Sequence, residues 1–180
     1  MMDVKTIQDF LPKPVFNQLS QIIFAPTFSW YLTTSVASPY LKSKENSKLF
    51  YMSHLVYEKE KYDKINPNDQ TIIDLLLGKL EPEERFLAIS QEEELIRMKI
   101  NFYPNTTELH EHDYHRDYEY SHMGAILSLN TCDGYTQIRE TDTKYYSWAN
   151  TLLTFDPSEE HCSTTTTNAV GRFNININYQ

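Results

Sequence analysis

The sequence is poor in cysteine and in long apolar runs, and both shortages exclude classes of protein. Its two cysteines, Cys132 and Cys162, have neither the spacing of a metal cluster nor that of a disulfide framework. Reduced thiols in an intracellular protein are the simplest interpretation. No apolar run approaches the roughly 20 residues that span a bilayer. Residues 1–11, which include Asp3 and Asp9, lack the apolar centre of a signal peptide. We therefore expect a cytoplasmic protein without a membrane partner.

Positive charge is also scarce. The chain carries 16 lysines and arginines against 25 acidic residues, a formal net charge of −9, and its basic residues form no stripe. Proteins that bind a nucleic-acid backbone need such a stripe, so we expect no nucleic-acid partner. We expect the densest acidic stretch to be a solvated surface rather than a docking site. Its residues are Glu81, Glu83, Glu84 and Glu92 to Glu94.

Aromatic residues are abundant, whereas glycine is rare. Thirteen tyrosines and nine phenylalanines stand against four glycines, which indicates a compact fold with many strand-compatible segments. The 180 residues fit a single domain, 1–180. Within it we expect residues 1–94 to form helices and supporting strands, and residues 95–180 to form a strand-rich core.

Two helices and one strand are predicted in the first half. A helix begins near Pro14 and a second at Asn66-Pro67, and Phe28 to Val36 suits a strand. The apolar stripe of the first helix is Val15, Leu19, Ile22 and Ile23, and that of the second is Ile72, Ile73, Leu76, Leu77 and Leu80.

From Leu95 the hydrophobic period changes to two, as in a β-strand. Ile96 to Tyr103 alternates apolar residues with Arg97, Lys99, Asn101 and Tyr103. The last strand, residues 172–179, has one apolar face and one face of Arg172 and three asparagines, which could line a barrel interior that holds a polar ligand. Further strands are predicted at 113–118, 123–130, 134–139, 143–148, 151–155 and 159–164. About eight strands indicate a mainly β fold, a double-stranded β-helix (jelly roll) with the N-terminal helices packed on one sheet.

Five of the six histidines lie between residues 110 and 161. The spacing from His110 to His115 does not fit a zinc protease, whose two histidines lie four apart on a helix. His115 and Asp117, two apart on a strand, can reach one point, and His161 can supply a third ligand. Two histidines and one carboxylate on one face of an iron ion leave positions open, as an oxygenase requires. Taken alone, each part of this pattern is common.

Arg172 follows His161 by eleven residues and begins the last strand on its polar face. A guanidinium in that position can form a bidentate pair with a carboxylate held inside a barrel. A strand-end arginine that faces solvent is the alternative interpretation.

These motifs together resemble the 2-oxoglutarate and Fe(II)-dependent oxygenases, most closely the prolyl-hydroxylase-like branch and its small phage-encoded members. The resemblance covers roughly residues 95–180, and Phe28 to Tyr31 adds a fainter match. The motifs that carry it are His115 and Asp117, Ala125 to Asn130, Asp133 to Thr136, Asn150 to Asp156, His161, and Gly171 to Ile175.

The resemblance implies a role for each matching residue. His115, Asp117 and His161 would bind Fe(II), and Arg172 would bind the distal carboxylate of 2-oxoglutarate. Tyr103 looks like a tyrosine that touches the cosubstrate. Cosubstrate binding is also expected for Ser128, which stands where relatives often carry a tyrosine. Its shorter side chain reaches less far.

The implied activity is hydroxylation of an unidentified peptide or small molecule, with a peptidyl proline among the candidates. Dioxygen and 2-oxoglutarate would be consumed, succinate and CO2 released, and ascorbate would be a supporting reductant. For a phage-like protein the compartment would be the host cytoplasm.

Three alternatives stay open on the residues alone. One is a jelly-roll binding domain without turnover. The second is a cupin-like metal enzyme that uses His110 and His112 and no 2-oxoglutarate, which leaves Arg172 without a role. The third is a structural protein with incidental histidines. A substrate contact is a further possibility for His110 and His112, which match no ligand position in the resemblance.

Overall fold

The computed structural model describes residues 4–34, 49–59, 65–77 and 95–180. These residues form ten strands and two helices, so the described part of the chain is mainly β. The strands are β1 (Lys5–Ile7), β2 (Tyr31–Thr33), β3 (Tyr51–Glu58), β4 (Leu95–Pro104), β5 (Met123–Ser128), β6 (Tyr135–Ile138), β7 (Thr143–Tyr146), β8 (Thr151–Phe155), β9 (His161–Ser163) and β10 (Gly171–Tyr179). The helices are α1 (Lys13–Ile23) and α2 (Pro67–Leu77).

The strands form two antiparallel sheets. The major sheet has seven strands in the order β1-β8-β5-β10-β4-β3-β2, and the minor sheet has three in the order β7-β6-β9. β4 and β10 pair from Gly171 opposite Pro104 to Tyr179 opposite Leu95, near the middle of the major sheet. Neighbouring strands on both sides hold this pair in register, which makes it a rigid base for side chains.

The β4–β10 pair separates an apolar face from a polar one because side chains alternate along a strand. Met98, Ile100, Ile175 and Ile177 are fully buried in the main hydrophobic cluster. The opposite face carries the asparagines and Tyr103 toward a cavity. The alternation in the sequence predicted this division.

Both helices contribute to the same apolar cluster as the major sheet. α1 has a proline in its first turn, where a missing N–H costs nothing, and it buries Leu19 and Ile23. α2 buries Ile72, Ile73 and Leu76. Each such side chain stabilises the fold by roughly 1.5–3 kcal/mol. Within the described ranges, neither helix is long and apolar enough to cross a membrane.

Most predicted elements exist, with shifted ends. The strand expected at Phe28 to Val36 is regular only over Tyr31–Thr33, and Val36 lies outside the described residues. Leu80 and the acidic stretch 81–94 also lie outside them. Two strands, β1 and β3, were not predicted.

The strand predicted at 113–118 is wrong. The chain there forms only isolated bridges, Glu111 to Thr164 and His115 to His161. Its partner β9 has only three residues, and the charged residues of this segment have low strand propensity. His115 and Asp117 therefore meet through a bend rather than through regular alternation.

Candidate metal centre

His115, Asp117 and His161 come together at one point between the two sheets. One ligand atom from each side chain lies within 4.8 Å of the others. The backbones of His115 and His161 exchange two hydrogen bonds of 3.0 Å, which places their ring centroids 4.5 Å apart. The Asp117 backbone N–H donates to the carbonyl of Pro157 at 2.9 Å, and Oδ1 of Asp117 lies 3.9 Å from Nε2 of His115. The sequence prediction that these three converge is thus consistent with the geometry.

The two histidines are oriented in the same way. Nδ1 of His115 lies 3.3 Å from the carbonyl oxygen of Asp113, and Nδ1 of His161 lies 2.9 Å from that of Glu159. A carbonyl can only accept, so each Nδ1 carries the proton and each Nε2 keeps a lone pair. Burial, followed by the charge of His161, lowers the pKa of His115 to about 4. The neutral form of His115, which can bind a metal ion, is therefore the stable one at neutral pH.

Asp117 is held ionised and in a fixed direction. Arg97 Nη2 lies 2.9 Å from Oδ1, and Asn176 Nδ2 donates to Oδ2 at 3.1 Å. Burial works to raise the pKa of Asp117, but the Arg97 guanidinium and the two histidines outweigh it and hold that pKa well below its usual range. The carboxylate is thus ready to bind a cation.

A row of side chains continues outward from Asn176. Asn178 Nδ2 donates to Asn176 Oδ1 at 2.9 Å, and Nε2 of His122 lies 2.8 Å from Asn178 Oδ1. Nδ1 of His122 in turn lies 2.9 Å from the carbonyl oxygen of Tyr120. Each amide donates toward Asp117, so the row fixes the orientation of every member.

Arg172 is a buried cation that donates hydrogen bonds to three neutral acceptors. Its side chain is 1% exposed, and its three nitrogens donate to Ser147 Oγ (2.8 Å), the Tyr135 carbonyl (2.7 Å) and Thr136 Oγ1 (2.7 Å). Burial lowers its pKa. No Asp or Glu of the described segments pairs with it, and an uncompensated buried charge is costly. An anionic ligand would remove that cost.

A cavity adjoins the two candidate histidine ligands, and its lining includes neither Asp117 nor Arg172. It encloses about 270 Å³ of empty space, its open mouth included. Its walls include His115 and His161 together with Tyr103, Thr136, Ser163 and Asn174. Asn101 also lines it and, although 2% exposed, leaves its Oδ1 without a hydrogen-bond partner in the described structure. The cavity is therefore polar and offers unused hydrogen-bonding capacity.

The other predicted site residues lie at different distances from the cavity. Tyr103 lines it, pairs with Arg172 across the strands and stacks on Tyr51, and burial raises its pKa to about 12. Ser128 is buried at the end of β5 opposite Asn174 and is not among the cavity-lining residues.

His110 and His112 do not form a metal pair. In the described part of the chain, the one cluster of His, Cys, Asp or Glu side chains that could hold a metal ion is the set of three already named. The backbone of His110 is bonded to Thr165, and His112 is buried against Tyr103. This arrangement disfavours the cupin-like alternative.

Several functional neighbours were not singled out from the sequence. Arg97, Asn176, Thr136 and Ser147 hold the carboxylate and the guanidinium. The sequence does contain a signal for Arg97 and Asn176, because the alternation of polar and apolar residues places both on the polar face of a strand. Thr136 and Ser147 gave no signal, since their role depends on how the sheets meet.

No protein-family model matches the sequence, and no curated protein matches it either. Solved structures do match. A 2OG-Fe(II) oxygenase family oxidoreductase from Burkholderia pseudomallei has a TM-score of 0.70 at 9% identity, over 98% of this chain and 84% of that one.

Two prolyl hydroxylases match over similar lengths. The viral collagen prolyl hydroxylase of Paramecium bursaria Chlorella virus-1, a 2OG complex, has a TM-score of 0.58 at 10% identity, over 97% of this chain and 94% of that one. A Trichoplax adhaerens prolyl hydroxylase, in complex with a hypoxia inducible factor peptide fragment, has a TM-score of 0.57 at 12% identity, over 98% and 82%. The resemblance predicted from the sequence is confirmed at the level of the fold.

Proposed function

We propose that this protein is a 2-oxoglutarate-dependent Fe(II) oxygenase that hydroxylates its substrate. The observation that carries the proposal is the convergence of His115, Asp117 and His161 within 4.8 Å, with both histidine Nδ1 atoms tied to carbonyls. Two imidazoles and one carboxylate suit Fe(II) and leave positions open for cosubstrate and dioxygen. A structural zinc site would more often have four protein ligands.

Arg172 is the proposed partner of the distal carboxylate of 2-oxoglutarate. Its burial without an acidic partner among the described residues supports this role, and Ser147 and Thr136 hold its planar fork in one orientation. Tyr103, beside it on β4, is the second proposed cosubstrate contact. Ser128, like Arg172, lies outside the cavity lining, and unlike Arg172 it carries no charge, so its role stays a prediction.

The bound metal and cosubstrate would supply the oxidising chemistry, with succinate and CO2 as co-products. The protein's own contribution is to keep His115 neutral, to keep Asp117 ionised and to fix an anion at Arg172. Each of these tasks has a physical cause in the described contacts. The complete set of groups argues against a binding domain without turnover.

The finer architecture belongs to the same proposal. We infer a double-stranded β-helix (jelly-roll) core in a single domain, 1–180, with the two helices on the apolar face of the major sheet. The shared hydrophobic cluster of helices and sheet supports it. A peptide is the proposed substrate class, with a prolyl residue as the first candidate. The support is the peptide-bound prolyl hydroxylase among the structural neighbours.

The proposal is tested by metal binding and by cosubstrate turnover. Anaerobic titration should show one Fe(II) site in the wild type, and no site in Asp117→Ala or in a His115/His161 double alanine variant. His110→Ala is the matched control and should bind Fe(II) normally. In air, the wild type with 2-oxoglutarate should form succinate slowly without substrate, and His115→Ala should form none. Undiminished Fe(II) binding by the double variant would overturn the ligand assignment.

A further inference from the structure

His112 has a ring nitrogen that the described structure leaves unsatisfied. The residue is 2% exposed, and its Nδ1 lies 3.2 Å from Ser163 Oγ. Its Nε2 has no hydrogen-bond partner in the part of the chain described. An unpaired buried polar group costs about 1–3 kcal/mol, so such atoms usually meet a water or a ligand.

The neighbours of His112 identify the kind of ligand. Its ring lies 5.2 Å from the ring of Tyr103, and the Arg172 guanidinium carbon lies 5.7 Å from that same ring. Ser163, whose Oγ lies 3.2 Å from Nδ1 of His112, lines the cavity together with Tyr103. His112 therefore belongs to the buried group that contains the uncompensated cation, where an anion is favoured.

The protonation of His112 follows from its surroundings. Burial, and next the charge of Arg172, lowers its pKa to about 4, so the neutral ring carries one N–H at neutral pH. With Ser163 Oγ as the donor to Nδ1, the proton of His112 is on Nε2. A carboxylate bound by Arg172 favours this placement of the proton, because Nε2 then carries an N–H that can donate to the carboxylate.

We propose that His112 is a cosubstrate-binding residue whose Nε2–H donates to the carboxylate that Arg172 binds. The inference rests on the proposed function and deepens it. Ser163 acts as the positioning residue for the imidazole in this arrangement, and the ring of Tyr103 packs beside it. The distal carboxylate of 2-oxoglutarate would then have a charged and a neutral donor, supplied by β10 and by the segment that precedes the metal ligands.

Binding of two 2-oxo acids to the Mn(II)-loaded protein tests the proposal. 2-Oxoglutarate has the distal carboxylate, whereas 2-oxopentanoate has the same carbon chain without it. By calorimetry, His112→Phe should weaken 2-oxoglutarate binding roughly 10- to 100-fold and leave 2-oxopentanoate unchanged. His112→Gln, which keeps an N–H donor, should recover part of the loss. His110→Phe is the matched control and should bind both acids as the wild type does.

Each outcome has a distinct meaning. Equal losses for both acids, or no loss for either, would overturn the role of His112. A wild type that binds Mn(II) but not 2-oxoglutarate would overturn the proposed function instead. Should His112→Phe lose Mn(II) binding through misfolding, the comparison is read from Ser163→Ala, which removes the partner of Nδ1. Its loss must again be confined to 2-oxoglutarate, and a loss shared by both acids counts against the proposal.

Discussion

At the scale of single residues, the direction of each candidate ligand is set by a hydrogen bond on its far side. His115 and His161 each turn Nδ1 toward the carbonyl two residues earlier in the chain. The same local geometry thus presents Nε2 in both cases. Asp117 has no such local partner and depends on Arg97 and Asn176 from the two central strands. Its orientation is therefore the most sensitive to substitution.

Asn176→Leu should weaken metal binding without unfolding the protein. Leucine has the same branched arrangement of side-chain heavy atoms as asparagine, but it cannot donate to Oδ2 of Asp117, so the carboxylate gains rotational freedom. Loss of one such outer hydrogen bond typically costs about 10- to 100-fold in metal affinity. Calorimetric titration with Mn(II) measures the effect.

Asn178→Leu is the graded control for that substitution. Asn178 lies one hydrogen bond further out, so its replacement should weaken Mn(II) binding less than that of Asn176. Equal affinities in the wild type and Asn176→Leu would show that the amide row does not orient Asp117.

The sequence could identify the candidate ligands but not their supports. The ordered spacing of the candidate residues can be recognised without knowledge of the tertiary structure. These residues are His115, Asp117, His161 and Arg172. The contact of Arg97 with Asp117 depends on a bend whose course no local pattern encodes. Asn176 was predicted to face inward, but its partner was not, because three asparagines share that face.

At the scale of elements, the β4–β10 pair was the most predictable feature and the segment 105–122 the least. Strict alternation over β10 specifies both faces, since a slip of one residue would exchange them. β1 is short and β3 is weakly patterned, and each forms because it pairs with a strand distant in the sequence.

Gly134 shows a tertiary constraint of the same kind. A Cβ there would lie 2.8 Å from Arg172 Cδ and 2.7 Å from the Thr165 carbonyl.

His54 joins β3 to α2 on the face opposite the metal centre. Nδ1 lies 2.8 Å from the Ser29 carbonyl and Nε2 lies 2.8 Å from Asp69 Oδ1. Both partners only accept, so both ring nitrogens carry protons and the ring is cationic. Burial works to lower the pKa of His54, but Asp69 and the carbonyl of Ser29 outweigh it, and the pKa is raised above 6.5.

This ion pair predicts a pH-dependent difference in stability between the wild type and Asp69→Asn. A raised folded-state pKa stabilises the protein fully below the unfolded value of about 6.5, and the contribution is lost as the pH rises through the folded value. The free energy of unfolding of the wild type should therefore exceed that of Asp69→Asn most below pH 6.5, and the difference should shrink as the pH rises above that value. Urea unfolding at several pH values measures it. A gap that is constant or widens with pH would contradict the cationic assignment.

At the scale of the whole molecule, the metal centre joins the two sheets. His161 belongs to the minor sheet, His115 and Asp117 to the segment between sheets, and Arg97 and Asn176 to the major sheet. Two arginines of the described residues, the partly buried Arg97 and the buried Arg172, lie at this junction. A ligand that binds at this junction therefore stabilises the packing of one sheet against the other.

Metal binding should consequently raise the unfolding temperature of the entire domain. A ligand at about 100 times its Kd stabilises the folded state by about 2.7 kcal/mol, which for a chain of this size corresponds to roughly 5–10 °C. Mn(II) should produce this shift in thermal unfolding, and addition of 2-oxoglutarate should increase it, because Arg172 then gains an anion. Asp117→Ala should show neither Mn(II)-dependent shift, while His110→Ala should keep both. A shift of equal size in Asp117→Ala would place the stabilising metal somewhere other than between the sheets.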